Sequence, residues 1–201
     1  MSGYFIPPET KFFFGVDIGR DHDPSVIALV ERIQLTHIAG QNVSREYKYV
    51  LTFLHTIPLG TSYPQVIQRF QDALRRLLIN ASKAYPDVVV DATGVGAPLI
   101  DDFKKLRSQC FTIPVIITGG EALHERKDGT HCIPRHELLM AVHMLVEKGL
   151  FQIASDLPNS EALFREMLNL KHDGSQHSET LHDDRIMAVA LAVHRAQRYT
   201  S

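Results

Sequence analysis

Apolar runs without polar alternation open the chain, and helical spacing of apolar residues takes over after residue 60. Residues 12–18, Phe12-Phe13-Phe14-Gly15-Val16-Asp17-Ile18, are apolar on both faces, which predicts a short central strand. Residues 25–33 predict a second strand, and 46–57 a third, rich in aromatic and β-branched side chains. The polar connector 34–45 then closes a hairpin, and Pro58 with Gly60 stops the third strand. Over 64–82, Val66, Ile67, Phe70, Ala73, Leu74, Leu77 and Leu78 recur at spacings of three and four, the pattern of a helix with one buried face. Pro64 suits its first position. A buried strand at 87–91, a helix at 98–107, a strand at 113–117 and helices at 134–148, 157–170 and 182–198 follow. Gly149 is a candidate to end the helix before it. Residues 1–11 read as an N-terminal extension and 171–181 as a polar loop. Hairpin-linked strands followed by β-α units imply a mixed sheet of five or more strands, with helices on both faces. The expectation is one α/β domain over 1–201.

Composition narrows the class. A length of 201 residues suits one domain, and 44% hydrophobic with 22% charged residues is ordinary for a globular protein. No run approaches the roughly 18 apolar residues of a membrane helix, so no membrane partner is expected. Cys110 and Cys132 make no disulfide framework, which points to a reducing cytoplasm. A net charge of −2 gives no global attraction to nucleic acid, so any DNA contact must come from local basic patches.

The candidate chemistry lies in carboxylates. Asp17 ends the first strand and Asp91 ends Val88-Val89-Val90-Asp91. Asp183 and Asp184 sit at the start of an apolar helix containing Ile186, Met187 and Val189. Each has a plain alternative: a turn residue at 17, a loop start at 91, a helix cap at 183–184. Yet an acid at the end of an apolar strand is a costly place for an unpaired charge. Acids on three separate elements that converge at one sheet edge form a site for Mg²⁺ or Mn²⁺, which prefer carboxylate oxygens. Two such ions suit phosphodiester cleavage. Gly15, Gly19, Gly94 and Gly96 beside the acids permit close backbone approach.

Three segments carry a family resemblance. They are Gly15-Val16-Asp17-Ile18-Gly19 followed by Asp23-Pro24-Ser25-Val26-Ile27-Ala28, then Val89-Val90-Asp91-Ala92-Thr93-Gly94-Val95-Gly96, then His182-Asp183-Asp184-Arg185-Ile186-Met187-Ala188-Val189-Ala190-Leu191-Ala192. In this order the chain resembles the nuclease domain of the large terminase subunit of tailed bacteriophages, a ribonuclease H-like fold. The resemblance implies metal-dependent endonucleolytic cutting of double-stranded DNA during phage genome packaging, in the cytoplasm of a bacterial host. It also implies work beside a terminase ATPase, a small terminase subunit and a portal. No Gly-x-x-x-x-Gly-Lys-Ser/Thr loop is present, so this sequence carries no ATPase motor. By the resemblance Asp17, Asp91 and Asp184 hold the metal and do the catalysis, with Asp183 the alternative ligand, cap or supporting group. Related Holliday-junction resolvases carry a second acid three residues on along the last helix. Here that position is Met187, which favours Asp184 as the ligand.

Other features are weaker. Asp23 is an outer acid or a turn residue before Pro24. His124, His131, Cys132, His136 and His143 fit no common zinc-finger spacing, and His172, His177 and His182 flank the acid pair in a polar loop. Arg69, Arg75, Arg76, Lys104, Lys105, Arg107, Arg126, Lys127 and Arg135 are candidate DNA contacts, although most such charges are a solvated face. The glycine-flanked segment 119–133 reads as a mobile DNA-facing loop or hairpin. The competing readings are a junction resolvase, an actin- or sugar-kinase-like nucleotide binder, for which 201 residues are too few, and a non-catalytic DNA-binding or assembly module.

Overall fold

The computed structural model describes residues 7–19, 23–39, 42–95, 97–120, 122–169 and 183–199. Eight strands form one mixed sheet: β1 (Glu9–Asp17), β2 (Ser25–Ala39), β3 (Asn42–Ile57), β4 (Asp87–Asp91), β5 (Phe111–Thr118), β6 (His124–Glu125), β7 (His131–Pro134) and β8 (Phe151–Ile153). Their order across the sheet is β6-β7-β5-β4-β1-β2-β3-β8. Five helices complete the described residues: α1 (Tyr63–Asn80), α2 (Ala97–Lys104), α3 (Arg135–Glu147), α4 (Ser160–Asn169) and α5 (Asp184–Arg198). No helix among them is long and apolar enough to cross a membrane.

Strand alternation explains why β1 reads apolar on both faces. Phe14, Val16 and Ile18 join Val88 and Val90 of β4 against Phe70 and Leu74 of α1 and Phe103 of α2. Phe13 and Val89 face the other way, against Leu138 and Val142 of α3, Leu163 of α4 and the apolar length of α5. Each strand residue therefore belongs to one of two cores, set by the two-residue period of the strand.

α5 is buried almost all round, from Ile186 to Val193, because it crosses the middle of the sheet. It runs antiparallel to β1: the Phe13 ring meets Tyr199 at 5.5 Å, and Gly15 lies under Ala188 and Ala192. Arg32, only 6% exposed, fixes the C-terminal end. Its Nη1 donates to the carbonyls of Ala196 (3.0 Å) and Tyr199 (2.8 Å). Its guanidinium lies 4.6 Å from the Tyr47 ring centre and 4.9 Å from that of Tyr199. A buried cation is tolerated there because it sits at the negative end of the helix dipole, among acceptors and aromatic faces.

His194, on the same helix, is buried and held at a pKa of about 4, first by burial and then by Arg198, His131 and Arg195. The folded state keeps it neutral while the unfolded chain protonates near pH 6.5, so its stability contribution is complete above about pH 6.5 and is lost as pH falls toward 4. The full loss is about 3 kcal/mol. Thermal melts between pH 4.5 and 7 should show a shallower acid-side loss for His194→Gln than for wild type; identical slopes would remove this role.

Several boundaries differ from the sequence expectation. β1 begins at Glu9, so any N-terminal extension is shorter than 1–11. Residues 34–39 and 42–45 are strand rather than connector: β2 and β3 pair through them to Ala39↔Asn42, because backbone pairing continues in a solvated ribbon whatever its side chains. β8 pairs with Tyr49–Leu51 of β3 and is three residues long, too short to carry a periodic signal. Within 119–133, His124–Glu125 (β6) pairs antiparallel with β7, and β7 runs parallel to β5 at the sheet edge. α2 ends at Lys104, which leaves Lys105 and Arg107 beyond it. The polar loop at 171–181, together with His182 and Gly96, lies outside the described residues.

Candidate active site

Asp17 is the last residue of β1 and Asp91 the last of β4. The two strands are parallel and paired up to Val16↔Val90, so the next step sets Asp17 beside Asp91, on neighbouring strands about 4.8 Å apart. The two-residue period puts Asp17 on the face of Phe13 and Gly15, and Asp91 on that of Asp87 and Val89. This is the α5 face: Val89 packs in that core, and Asp87 is paired with Arg195 of α5 at 2.6 Å.

α5 brings the third acid. A Cβ on Gly15 would lie 1.9 Å from the carbonyl oxygen of Ala188 and 2.9 Å from the nitrogen of Ala192, so helix and strand backbones touch there. Asp184 is one turn before Ala188 on the same helix face, and Asp17 is two residues past Gly15 on the same strand face. Since the two elements are antiparallel, both steps lead to the same end of the sheet. The electrostatics agree. The Asp17 carboxyl is pushed well above the usual carboxylate range, first by burial, then by the charges of Asp91, Asp184, Asp23 and Glu166. Five carboxylates thus share one neighbourhood.

The supporting contacts are specific. Asp91 Oδ1 accepts from the backbone nitrogen of Thr93 at 2.7 Å, and Thr93 Oγ1 accepts from the nitrogen of Ile117 at 2.8 Å, tying the loop after β4 to β5. Gly94, at φ +64°, makes the turn that follows. Ser25 Oγ accepts from the nitrogen of Gly19 at 3.0 Å, and a Cβ on Gly19 would strike the carbonyl oxygen of Asp23. That close return explains how exposed Asp23 acts on Asp17.

Asp184 is 9% exposed. Asp183 occupies the N-cap position of α5, yet its side chain makes no capping hydrogen bond; it is ion-paired with Arg135 instead. Glu166 of α4 supplies what a cap would. Its Oε2 accepts from the nitrogen of Ile186 at 2.9 Å, and its Oε1 accepts from Arg185 Nη1 at 2.6 Å. Burial raises the Glu166 pKa, while Arg185 and the Ile186 amide pull it back. Sequence reasoning missed Glu166. The available signal was a charge on the apolar face of its helix, between Leu163 and Met167. Among the basic candidates, Arg69, Arg75, Arg76, Lys104, Lys105, Arg107, Arg126 and Lys127 are exposed, and Arg135 alone of the nine is paired to a site acid in the described residues.

A hard-oxygen donor set suits Mg²⁺ or Mn²⁺ in its chemistry. Among the described residues, no three His, Cys, Asp or Glu side chains are already arranged to hold a metal ion. The cluster therefore fits the ion by donor type and by its surplus of negative charge, not as a closed cage.

No protein-family model matches the sequence, and no curated protein matches it. Solved structures do. The terminase nuclease domain of human cytomegalovirus, soaked with manganese, superimposes at a TM-score of 0.59 with 12% identity, over 92% of this chain and 84% of that one. This chain has the fold of a terminase nuclease domain. A second structure of the cytomegalovirus domain gives 0.55 at 11% identity, over 92% and 82%. The zinc-bound large terminase nuclease of thermophilic phage G20c gives 0.48 at 19% identity, over 96% and 83%. The shared fold is an α/β architecture, with the mixed sheet and the two helical layers described above.

Proposed function

We propose that the chain is a divalent-metal-dependent DNA endonuclease of the terminase nuclease type. The observation that carries the reading is the placement of Asp17, Asp91 and Asp184 at one end of the sheet, on one face, with Asp17 raised first by burial and then by the other two. Asp17, on the central strand, Asp91 and Asp184 would hold the metal, and a pair of such ions suits phosphodiester cleavage. Bound Mg²⁺ or Mn²⁺ supplies an activated water and stabilises the leaving oxygen of a phosphodiester. The protein's own part is positional. β1 and β4 hold two carboxylates side by side, Thr93 fixes Asp91, and Glu166 with Arg185 sets the start of α5 and hence Asp184. Asp183 supports the site through Arg135. The substrate is double-stranded DNA, cut during phage genome packaging in the cytoplasm of a bacterial host. The ATPase, small terminase subunit and portal are its working partners.

Plasmid nicking and linearisation with Mg²⁺ or Mn²⁺ test this. Wild type should cut supercoiled plasmid, and Asp17→Asn, Asp91→Asn and Asp184→Asn should each lose most of that activity. Cutting at the wild-type rate by all three variants would sink the reading, as would cutting that persists in excess chelator.

A further inference from the structure

Arg135 is the first residue of α3, reached directly from β7. A cation at a helix N-terminus opposes the helix dipole, and Pro134 before it offers no side-chain cap. The placement is unfavourable for the helix, so its reason lies elsewhere. The Arg135 side chain is 29% exposed and ion-paired with Asp183, which is 21% exposed. Burial pulls the Arg135 pKa down while the charge of Asp17 pulls it back up, so Asp17 is also within Coulombic reach. Arg185, the other arginine at this end of α5, is committed to Glu166.

We propose that Arg135 is the resident counter-ion of the acid cluster: it balances Asp183 and part of the Asp17 charge in the metal-free protein, and it opposes entry of a divalent cation. The second half rests on Asp17, Asp91 and Asp184 being cation ligands; the first does not. Crowded carboxylates repel, and a guanidinium among them lowers that repulsion without a bound metal. The same fixed charge repels an arriving cation and sets a ceiling on affinity. Arg135 is thus a positioning and affinity-setting residue.

The test uses Arg135→Gln, Arg135→Lys, Asp17→Asn and the Arg135→Gln/Asp17→Asn double variant. Metal-free melts come first. Arg135→Gln should lower Tm, and should lower it less in the Asp17→Asn background, because one of the charges it served is gone. Equal losses in both backgrounds would overturn the counter-ion role. Calorimetry with Mn²⁺ alone comes second. Arg135→Gln should bind Mn²⁺ roughly tenfold or more tightly than wild type, with Arg135→Lys close to wild type because it keeps the charge. Unchanged affinity in Arg135→Gln, with the same Tm loss with and without Mn²⁺, would make Arg135 a packing residue and overturn the proposal. If neither wild type nor any variant binds Mn²⁺, the opposition to cation entry is refuted along with the metal-site reading. The counter-ion role is then decided by the metal-free melts.

Discussion

Gly15→Ala will destabilise this protein strongly through a single added methyl group. In most strand interiors alanine for glycine is neutral or better, since it removes unfolded-state freedom. At Gly15 the new Cβ would sit 1.9 Å from the carbonyl oxygen of Ala188 and 2.9 Å from the nitrogen of Ala192. Both obstacles are helix backbone, so no rotamer change relieves them, and α5 has to lift off β1. Overpacking costs about 1–3 kcal/mol in typical cores, and a backbone obstacle places this site at or above the top of that range. For a chain of this size about 3 kcal/mol is a fall of roughly 6–12 °C in Tm. Cleavage should fall as well at temperatures where the variant is still folded, since Asp184 rides on the displaced helix one turn from the contact. Gly149→Ala is the control: its Cβ meets nothing within 4 Å, and its penalty is confined to the positive φ of +66°. Melting the two variants side by side separates a helix–strand clash from a generic glycine effect. A Gly15→Ala variant as stable as wild type would mean that α5 does not rest on β1 in this way.

Asp17→Asn should do opposite things to activity and stability. Asparagine keeps the shape and loses the charge, so the loss of metal-assisted cleavage, a term of several kcal/mol, amounts to about 10²- to 10⁴-fold. The same change should raise the Tm of the metal-free protein near neutral pH. Asp17 is raised well above the usual carboxylate range by burial and by Asp91, Asp184, Asp23 and Glu166. Between the unfolded pKa near 4 and the raised folded value, the folded state binds more protons, so stability falls as pH rises through that window. Removing the charge therefore stabilises the folded protein within that window. The gain should shrink as pH falls toward 4 and vanish about one unit below that, where the wild-type carboxyl is protonated in both states. Excess Mn²⁺ should stabilise wild type more than the variant. An Asp17→Asn protein that is less stable than wild type at pH 7.5 without metal would refute the crowding argument.

The architecture was legible in the sequence where periodicity was strong. The strands at 12–18 and 87–91 and the helix at 64–82 needed only apolar spacing, and the structure places them at Glu9–Asp17, Asp87–Asp91 and Tyr63–Asn80. The acids were legible because a carboxylate at the end of an apolar strand is anomalous on its own. Asp183 was not. Its N-cap position is readable from sequence, but its pairing with Arg135 joins residues 48 positions apart and leaves no local mark. Glu166 reaches 20 residues forward to the nitrogen of Ile186. The ribbon at 34–39 and 42–45 looked like a loop because its polar side chains carry no strand periodicity, while its backbone pairing joins residues apart in sequence.

The sequence by itself therefore determined which residues share a face of each element, since the periods of strand and helix follow from backbone geometry alone. It placed acids at the ends of three elements. Tertiary structure decided what those faces meet: β4 beside β1 in parallel register, α5 antiparallel across them with its backbone against Gly15, and Glu166 and Arg135 bracketing the start of that helix. Those outcomes depend on burying both sheet faces at once and on balancing charge among residues far apart in the chain. No local pattern of hydrophobic and polar positions encodes either requirement.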